Sequence, residues 1–417
     1  DAYADEATKA LYLPRLYAGE WLGTMCLTEP HCGTDLGLIK TRAVPDGSGG
    51  YAITGSKIWI TGGEHDLTEN IVHLVLAKLP EAPAGAKGIS LFLVPKRQVL
   101  EDGSLGDTNG VVCGGLEHKM GIKGSATCIM HFEAARGILI GEPHQGLATM
   151  FTMMNYERLS IGLQGLGLGE VAYQGAMAFA RERRQSRAPG GTAEPDQAAD
   201  PILVHPDVRR MALDVRAWNE GGRLFAAFVA SELDRAKYHP DVGMRDASAD
   251  LVALLTPVAK ALLTDRGFMA TVEAQQLFGG SGYCVEWGAE QYVRDARIAM
   301  IYEGTNGIQA MDLVGRKLTR NQGAYVKRLV ERVRADLGDG DDIEPPLRPF
   351  REAAVGEMTR LERVSAALID AAGKDPAAAG AAAHDYLHLL GHALYAWMWF
   401  KAARAAVSYT HLTLPTK

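Results

Sequence analysis

A change of hydrophobic period near Gly146 limits this chain more than any other feature. From about residue 22 to 135, short apolar runs rich in β-branched residues alternate with Gly/Asp/Ser turns. The runs are 51–54 and 57–61 about a Gly55-Ser56 turn, then 72–76, 89–94 and 127–132. Such alternation puts successive side chains on opposite faces of strands and predicts a small β-barrel or sandwich. Beyond Gly146 the spacing is helical, over 147–187, 206–236, 247–278, 288–302, 306–335 and the Ala-rich 348–407. The expected architecture is a multidomain α+β chain. A short helix at 3–18 lies in a remnant of an N-terminal helical domain (1–21). A β domain (22–140), a helical bundle (141–336) and a partial extra helical domain (337–407) follow. Pro/Gly-rich 188–201 reads as a loop, and acidic 337–348 as the best domain boundary. Residues 408–417 show no helical pattern and read as a non-native tail.

Composition excludes several classes of function. The 417 residues carry a formal net charge of −7 with acidic and basic residues interspersed, so there is no electrostatic footprint for nucleic acid. No stretch reads as an unbroken apolar membrane span, and residues 1–6 lack the basic flank and apolar core of a signal peptide. The five cysteines are odd in number and scattered without a Cys-x-x-Cys pair, which predicts free thiols in a reducing, cytoplasmic setting.

Among possible motifs, the glycines at 162, 165, 167 and 169 superficially suggest a dinucleotide fingerprint, but no strand precedes them; close helix packing is the better account. His384, His388 and His392 recur every fourth residue and could present two metal ligands on one helix face. A metalloprotease pattern needs Glu after the first His, where this chain has Asp385, and the segment is Leu-rich; no metal is expected. Gly-x-Ser-x-Gly and Walker patterns are absent. Gln275-Gln276-Leu277-Phe278-Gly279-Gly280-Ser281-Gly282 places three glycines at a helix end, which suits either close approach to a phosphate or a tight helix–helix turn. Thr28-Glu29-Pro30-His31-Cys32-Gly33-Thr34-Asp35 reads as a polar loop after a short apolar run. Trp59 and Thr61 alternate to one strand face, as an aromatic plane with a hydroxyl in register or as core packing. Glu303 follows an apolar run and precedes a helix-breaking glycine. It either decorates a turn or, in a dry pocket, has a pKa raised toward general-base duty.

Together these pieces resemble the acyl-CoA dehydrogenase family over roughly residues 10–320. The resemblance is carried by Cys26-Leu27-Thr28-Glu29-Pro30 with Gly33-Thr34-Asp35, and by Lys57-Ile58-Trp59-Ile60-Thr61. To these are added Glu182-Arg183-Arg184-Gln185, the 276–282 turn, and Tyr302-Glu303-Gly304-Thr305-Asn306-Gly307-Ile308-Gln309. His31-Cys32-Gly33, Glu64-His65-Asp66 and Phe151-Thr152-Met153-Met154-Asn155 further resemble the branch with an extra C-terminal helical domain that acts on 3-methylmercaptopropionyl-CoA.

The resemblance implies FAD as cofactor and Glu303 as the base that removes the α-proton of an acyl-CoA while the flavin accepts the β-hydride. It implies flavin contacts for Leu27, Thr28, Gly33, Thr34, Trp59 and Thr61. Thr34, Asn155 and Arg158 would line the acyl-CoA channel. Arg183, Gln276, Gly279 and Gly280 would reach the FAD of a neighbouring subunit in a homodimer or dimer of dimers, and Thr305 and Asn306 would also touch FAD. The implied activity converts an acyl-CoA, with 3-(methylthio)propanoyl-CoA leading, to the trans-2-enoyl-CoA, electrons passing to an electron-transfer flavoprotein. A general saturated acyl-CoA dehydrogenase, an oxidase, and a non-catalytic flavin- or CoA-binding scaffold are the alternatives. Ser186-Arg187 replaces the Phe-Gly common after the family's Glu-Arg-x-Gln, which weakens the adenine-side expectation. The family's N-terminal helical domain is almost wholly missing, so the chain looks N-terminally truncated.

Overall fold

The computed structural model describes residues 1–340 and 343–413, which divide into two compact units, 1–155 and 156–417. In the first, α1 (Glu6–Tyr17) begins at Asp5, whose carboxylate caps the Thr8 N–H at 2.7 Å. Nine strands follow: β1 (Trp21–Cys26), β2 (Arg42–Pro45), β3 (Tyr51–Thr61), β4 (Asn70–Lys78), β5 (Ile89–Pro95), β6 (Arg97–Val99), β7 (Leu105–Thr108), β8 (Val111–Leu116) and β9 (Thr127–Ile140).

Seven of them form one mixed sheet in the order β1-β4-β2-β3-β9-β5, with β8 on β9; β6 and β7 pair separately. Because β4 also pairs with β5, the ladder returns to its start, but through a single β2–β4 bridge, Arg42 to Lys78. The sheet therefore curls on itself without the continuous pairing of a barrel.

Strand alternation sorts the apolar side chains into two cores. Val75 and Ala77 of β4, with Phe92 and Val94 of β5, join Ile53, Met130 and Phe132 on one face. Val72 and Leu76, with Leu91 and Leu93, face the other way onto Tyr12, Trp21, Met150 and Met154. The expected Gly55-Ser56 turn is instead continuous strand: β3 passes through a bulge there. Gly55 has φ +157°, and a Cβ would meet Thr41 Oγ1 at 2.4 Å, so the glycine admits a neighbouring segment and makes no reversal.

In the second unit, α2 (Gly146–Glu182, which begins in the first) is followed by α3 (Pro206–Tyr238), α4 (Val242–Leu277), α5 (Ala289–Arg297), α6 (Asn306–Asp312), α7 (Ala324–Leu337), α8 (Arg348–Lys374) and α9 (Pro376–Thr413). One apolar core runs through α3, α4 and α6 to α9, on both sides of the acidic 337–348 segment. Two helices expected to be continuous are broken. The 306–335 run passes through a π turn at Leu313–Leu318 and reverses at left-handed Gln322 and Gly323. The 348–407 run stops at extended Asp375 before Pro376. Residues 408–413 continue α9, and the expected tail's 414–417 and the linker's Asp341-Asp342 lie outside the described residues.

The 188–201 loop is organised by Asp200, whose buried carboxylate accepts N–H groups from Ala188, Ala193 and Glu194 at 2.8–3.1 Å. By length and composition α4 could cross a membrane, contrary to the sequence expectation, but 78% of its apolar window is buried inside the protein. Its hydrophobicity is that of a core helix.

Three of the four α2 glycines, Gly162, Gly165 and Gly169, do what the packing account required, and Gly167 does not. A Cβ on Gly165 would meet Leu263 O and Thr264 Cα at 2.8 Å, and one on Gly267 would meet Gly165 O at 2.2 Å, so α2 and α4 cross backbone to backbone. We expect Gly267→Ala to destabilise the protein by roughly 1–3 kcal/mol through overpacking. Gly167→Ala, whose Cβ meets nothing within 4 Å, is expected to be neutral or stabilising by up to about 1 kcal/mol. Denaturant midpoints of the two variants check the contrast.

Candidate active site

In the helical unit the charged helix α5 gives way to an apolar 3₁₀ turn at Ile298–Met300, and helix resumes only at Asn306. Between them Glu303 and Gly304 both adopt left-handed backbone, φ 55° and 80°. For a glutamate this costs about 1–2 kcal/mol and marks a position held by its surroundings. Thr305 closes the turn as the cap of α6, its Oγ1 accepting the Ile308 N–H at 3.2 Å.

Lys260 does the holding. Its side chain is fully buried in α4, and Nζ donates to Gly304 O at 2.9 Å and Asn306 Oδ1 at 2.8 Å. The buried Asn306 carboxamide passes the contact on, donating to Asp265 Oδ1 at 2.7 Å and Thr264 Oγ1 at 2.9 Å. Gln309 Nε2 reaches Gly304 O at 3.2 Å from the other side.

The Glu303 carboxylate has no hydrogen-bond or ion-pair partner among the described residues. Burial raises its pKa and the Glu157 charge adds to the rise, while Arg158 and Lys260 oppose it. Burial lowers Lys260 to about 8, against the attraction of Asp265 and Glu303. Arg158 is likewise pushed down by burial and held up by Asp312 and Glu303. Beside Glu303, the Tyr302 hydroxyl donates to Gln164 of α2. Chemically, this is a free carboxylate of raised basicity with two cations near enough to restrain it.

Of the other expected residues in this unit, Gln276 lies roughly 24 Å further along α4 from Lys260 at about 1.5 Å per residue, and Gly279 and Gly280 follow just past the helix end. There Phe278 stacks on Phe179 of α2 at 4.7 Å, which brings Arg183 to the same end of the bundle. Gly279 has φ +58°, and a Cβ on either Gly279 or Gly280 would meet nothing within 4 Å, so the turn presents open backbone. Beside it Tyr283 is 86% exposed and Val285 75%. Asn306, expected at the cofactor, turns its side chain inward to Lys260 and Asp265.

In the sheet unit a second buried lysine organises the 27–34 loop. Lys57 of β3 donates to Leu27 O and Glu29 Oε1, both at 2.9 Å. Glu29 also accepts Thr41 Oγ1 at 2.6 Å and the Thr41 and Lys40 N–H groups. Burial alone would raise Glu29, but Lys57, Thr41 and Lys40 together hold it below its ordinary value.

Thr28 O accepts the Ile58 N–H at 3.0 Å, and Glu29 and Cys32 exchange backbone bonds across a tight turn that leaves Gly33 and Thr34 exposed. A second bulge in β3, between Lys57 and Ile60, puts Trp59 at φ 60° with 59% of its surface exposed, so it is no core residue. Thr61 is exposed on the same strand, and Asn155 is partly buried in α2.

The sequence pattern singled out neither lysine, nor Asp265, Gln309, Gln164 and Glu157. A lone lysine inside the apolar run of α4, and another on the inward face of β3, were the available signals.

Residues 24–135 match the acyl-CoA dehydrogenase middle domain, 144–318 the acyl-CoA dehydrogenase C-terminal domain, and 326–411 the acetyl-CoA dehydrogenase C-terminal-like domain. The chain is 43% identical to the 3-methylmercaptopropionyl-CoA dehydrogenase of Ruegeria pomeroyi, over 96% of this chain and 68% of that protein. It is 38% identical to a butyryl-CoA dehydrogenase of Syntrophomonas wolfei, over 79% of this chain and 54% of that protein. The chain thus spans about two thirds of the one relative and about half of the other. A Bacillus anthracis acyl-CoA dehydrogenase structure with FAD shares the fold, with a TM-score of 0.76 at 24% identity, covering 96% of this chain and 65% of that one.

We expect Asn306→Ala to cost roughly 1–3 kcal/mol, the penalty for leaving buried Lys260 with one acceptor fewer and Asp265 Oδ1 without the Asn306 donor. Thr305→Ala, which removes only a helix cap, should cost about 1 kcal/mol. Equilibrium denaturation of both variants reads the difference.

Proposed function

Because this chain belongs to the acyl-CoA dehydrogenase family, we propose that it dehydrogenates an acyl-CoA thioester to the trans-2-enoyl-CoA with Glu303 as base. The observation that carries the proposal is the Glu303 carboxylate itself: unpaired, raised in pKa by burial, and fixed in left-handed backbone by groups that bond its neighbours and leave its own oxygens free.

FAD is the cofactor of the family, and the residues here fit it. The exposed Trp59 indole offers an apolar plane, and the open Gly279-Gly280 turn admits a phosphate-bearing chain without a Cβ in the way. Leu27, Thr28, Gly33, Thr34, Trp59 and Thr61 would hold the ring system. Arg183, Gln276, Gly279 and Gly280 would serve the cofactor of a second subunit, a role supported by the exposed apolar residues beside the turn. Bound FAD would supply the hydride acceptor.

The protein's own part is proton transfer and charge stabilisation. Glu303 takes the α-proton onto its carboxylate. Its backbone N–H, without a partner among the described residues, can bond the thioester oxygen and stabilise the enolate-like charge that develops there. Lys260 and Arg158 oppose the rise that burial and the Glu157 charge impose on the Glu303 pKa. Asn155 and Arg158 would line the substrate channel.

The preferred substrate is 3-(methylthio)propanoyl-CoA, in line with the 43% identical relative, with an electron-transfer flavoprotein as acceptor. Five free cysteines support a reducing, cytoplasmic setting.

Anaerobic addition of 3-(methylthio)propanoyl-CoA to the purified yellow protein should bleach the flavin band, faster than butyryl-CoA does. Faster bleaching by butyryl-CoA would favour a general saturated acyl-CoA dehydrogenase, and no bleaching by either in protein that holds FAD would rule out the dehydrogenase. Glu303→Gln should keep the colour and lose the bleaching. Since the base must be ionised, the rate of bleaching in the wild type should rise with pH through an apparent pKa above 4.5, the ordinary value for a glutamate.

A further inference from the structure

The histidine face of α9 does not simply meet solvent. His388 Nε2 lies 3.0 Å from Asp265 Oδ2, on α4, and His384, one turn earlier, stacks on His388 with ring centroids 4.5 Å apart. One ligand atom from each of Asp265, His384 and His388 lies within 4.8 Å of the other two.

We propose that Asp265, His384 and His388 form a divalent transition-metal site that clamps α9 to α4. Zinc bonds nitrogen and oxygen ligands at about 2.0–2.2 Å, which puts neighbouring donors of a tetrahedral site roughly 3.3 Å apart. The Asp265–His388 pair already has about that spacing, and His384 needs only a side-chain adjustment, which its exposed position permits. The Asp265 carboxylate is already oriented toward the imidazoles, because Asn306 Nδ2 bonds Oδ1 at 2.7 Å and leaves Oδ2 to face them. That is the outer-shell support characteristic of metal ligands.

His384 makes no hydrogen bond among the described residues, whereas His392 commits Nδ1 to His388 O at 2.7 Å and is not a third imidazole ligand. The nearby cations are occupied elsewhere. Arg266 sits over the Trp218 ring at 3.9 Å and bonds His392, and Lys260 is held by Gly304 and Asn306. Two imidazoles and one carboxylate suit Zn²⁺, Co²⁺ or Ni²⁺ better than Mg²⁺ or Ca²⁺, with the remaining positions left to water.

The site is independent of the dehydrogenase reading and is tested without turnover. Holoprotein stripped with chelator and desalted is titrated with Zn²⁺ by calorimetry and assayed for retained zinc by elemental analysis, beside His384→Ala. His384 is exposed on a helix, so alanine there should not disturb folding. We expect one zinc equivalent in the wild type, binding at least about ten-fold weaker in the variant, and a zinc-dependent rise in melting temperature in the wild type alone. The same isotherm in both proteins, or a wild type that retains no zinc, would overturn the proposal.

Discussion

The arrangement of the candidate active site depends on a single ammonium group buried in an apolar helix. Removing a lysine from water costs several kcal/mol unless its protons are satisfied. Lys260 meets that condition with Gly304 O and Asn306 Oδ1, both on the segment that follows the base. Moving that segment would strand the charge in the core of α4, so the penalty for displacement falls on the ammonium and not on Glu303. Glu303 is thereby fixed while its carboxylate stays unbonded. The same charge restrains its pKa, since it acts against the burial and the Glu157 repulsion that raise it.

The sheet unit uses the same device. Lys57 donates to Leu27 O and pairs with Glu29, and Glu29 gathers Thr41 and Lys40. In each unit an ammonium inside the core grips a loop by a backbone carbonyl and leaves other groups of the loop open: Gly33 and Thr34 are exposed in one, and the Glu303 carboxylate is unbonded in the other. A carbonyl suits this purpose because gripping it consumes no side chain that chemistry needs. The two differ in their counter-charge. Glu29 touches Lys57 directly at 2.9 Å, whereas Lys260 reaches Asp265 through Asn306, which leaves part of its field for the base.

Much of this was legible in the sequence, and what was not has a common cause. Length and flanking turns separated sheet from helix here, because β4 and β5 are buried on both faces as short turn-bounded runs and α4 is one long buried run. The glycines of α2 were readable as packing because no strand preceded them. Interruptions were harder. The kink at Gly55 answers to Thr41, just before β2, and the reversal at Gln322-Gly323 interrupts an otherwise helical pattern. Lys57 and Lys260 were passed over because a charge in an apolar run looks like an exception until its partners, 28 and 46 residues away, are in place. The histidine stripe failed in the same way: its i, i+4 spacing shows two donors, and only the fold supplies Asp265, 123 residues from His388.

The placing of glycine at 304 and not at 303 shows which demand prevails at the base. Both residues are left-handed, and glycine would relieve strain at either. At 304 it is required twice over, since besides φ +80° a Cβ would meet Gln309 Nε2 at 2.7 Å. At 303 the chain accepts a strained glutamate, and the proton transfer proposed for this position needs its side chain. The strain of about 1–2 kcal/mol is comparable with the net worth of one or two hydrogen bonds. Lys260 and Gln309 supply bonds of that order to the carbonyl of the very next residue. The conformation of the base is thus set by groups that touch its backbone neighbours, and its carboxylate remains free for substrate.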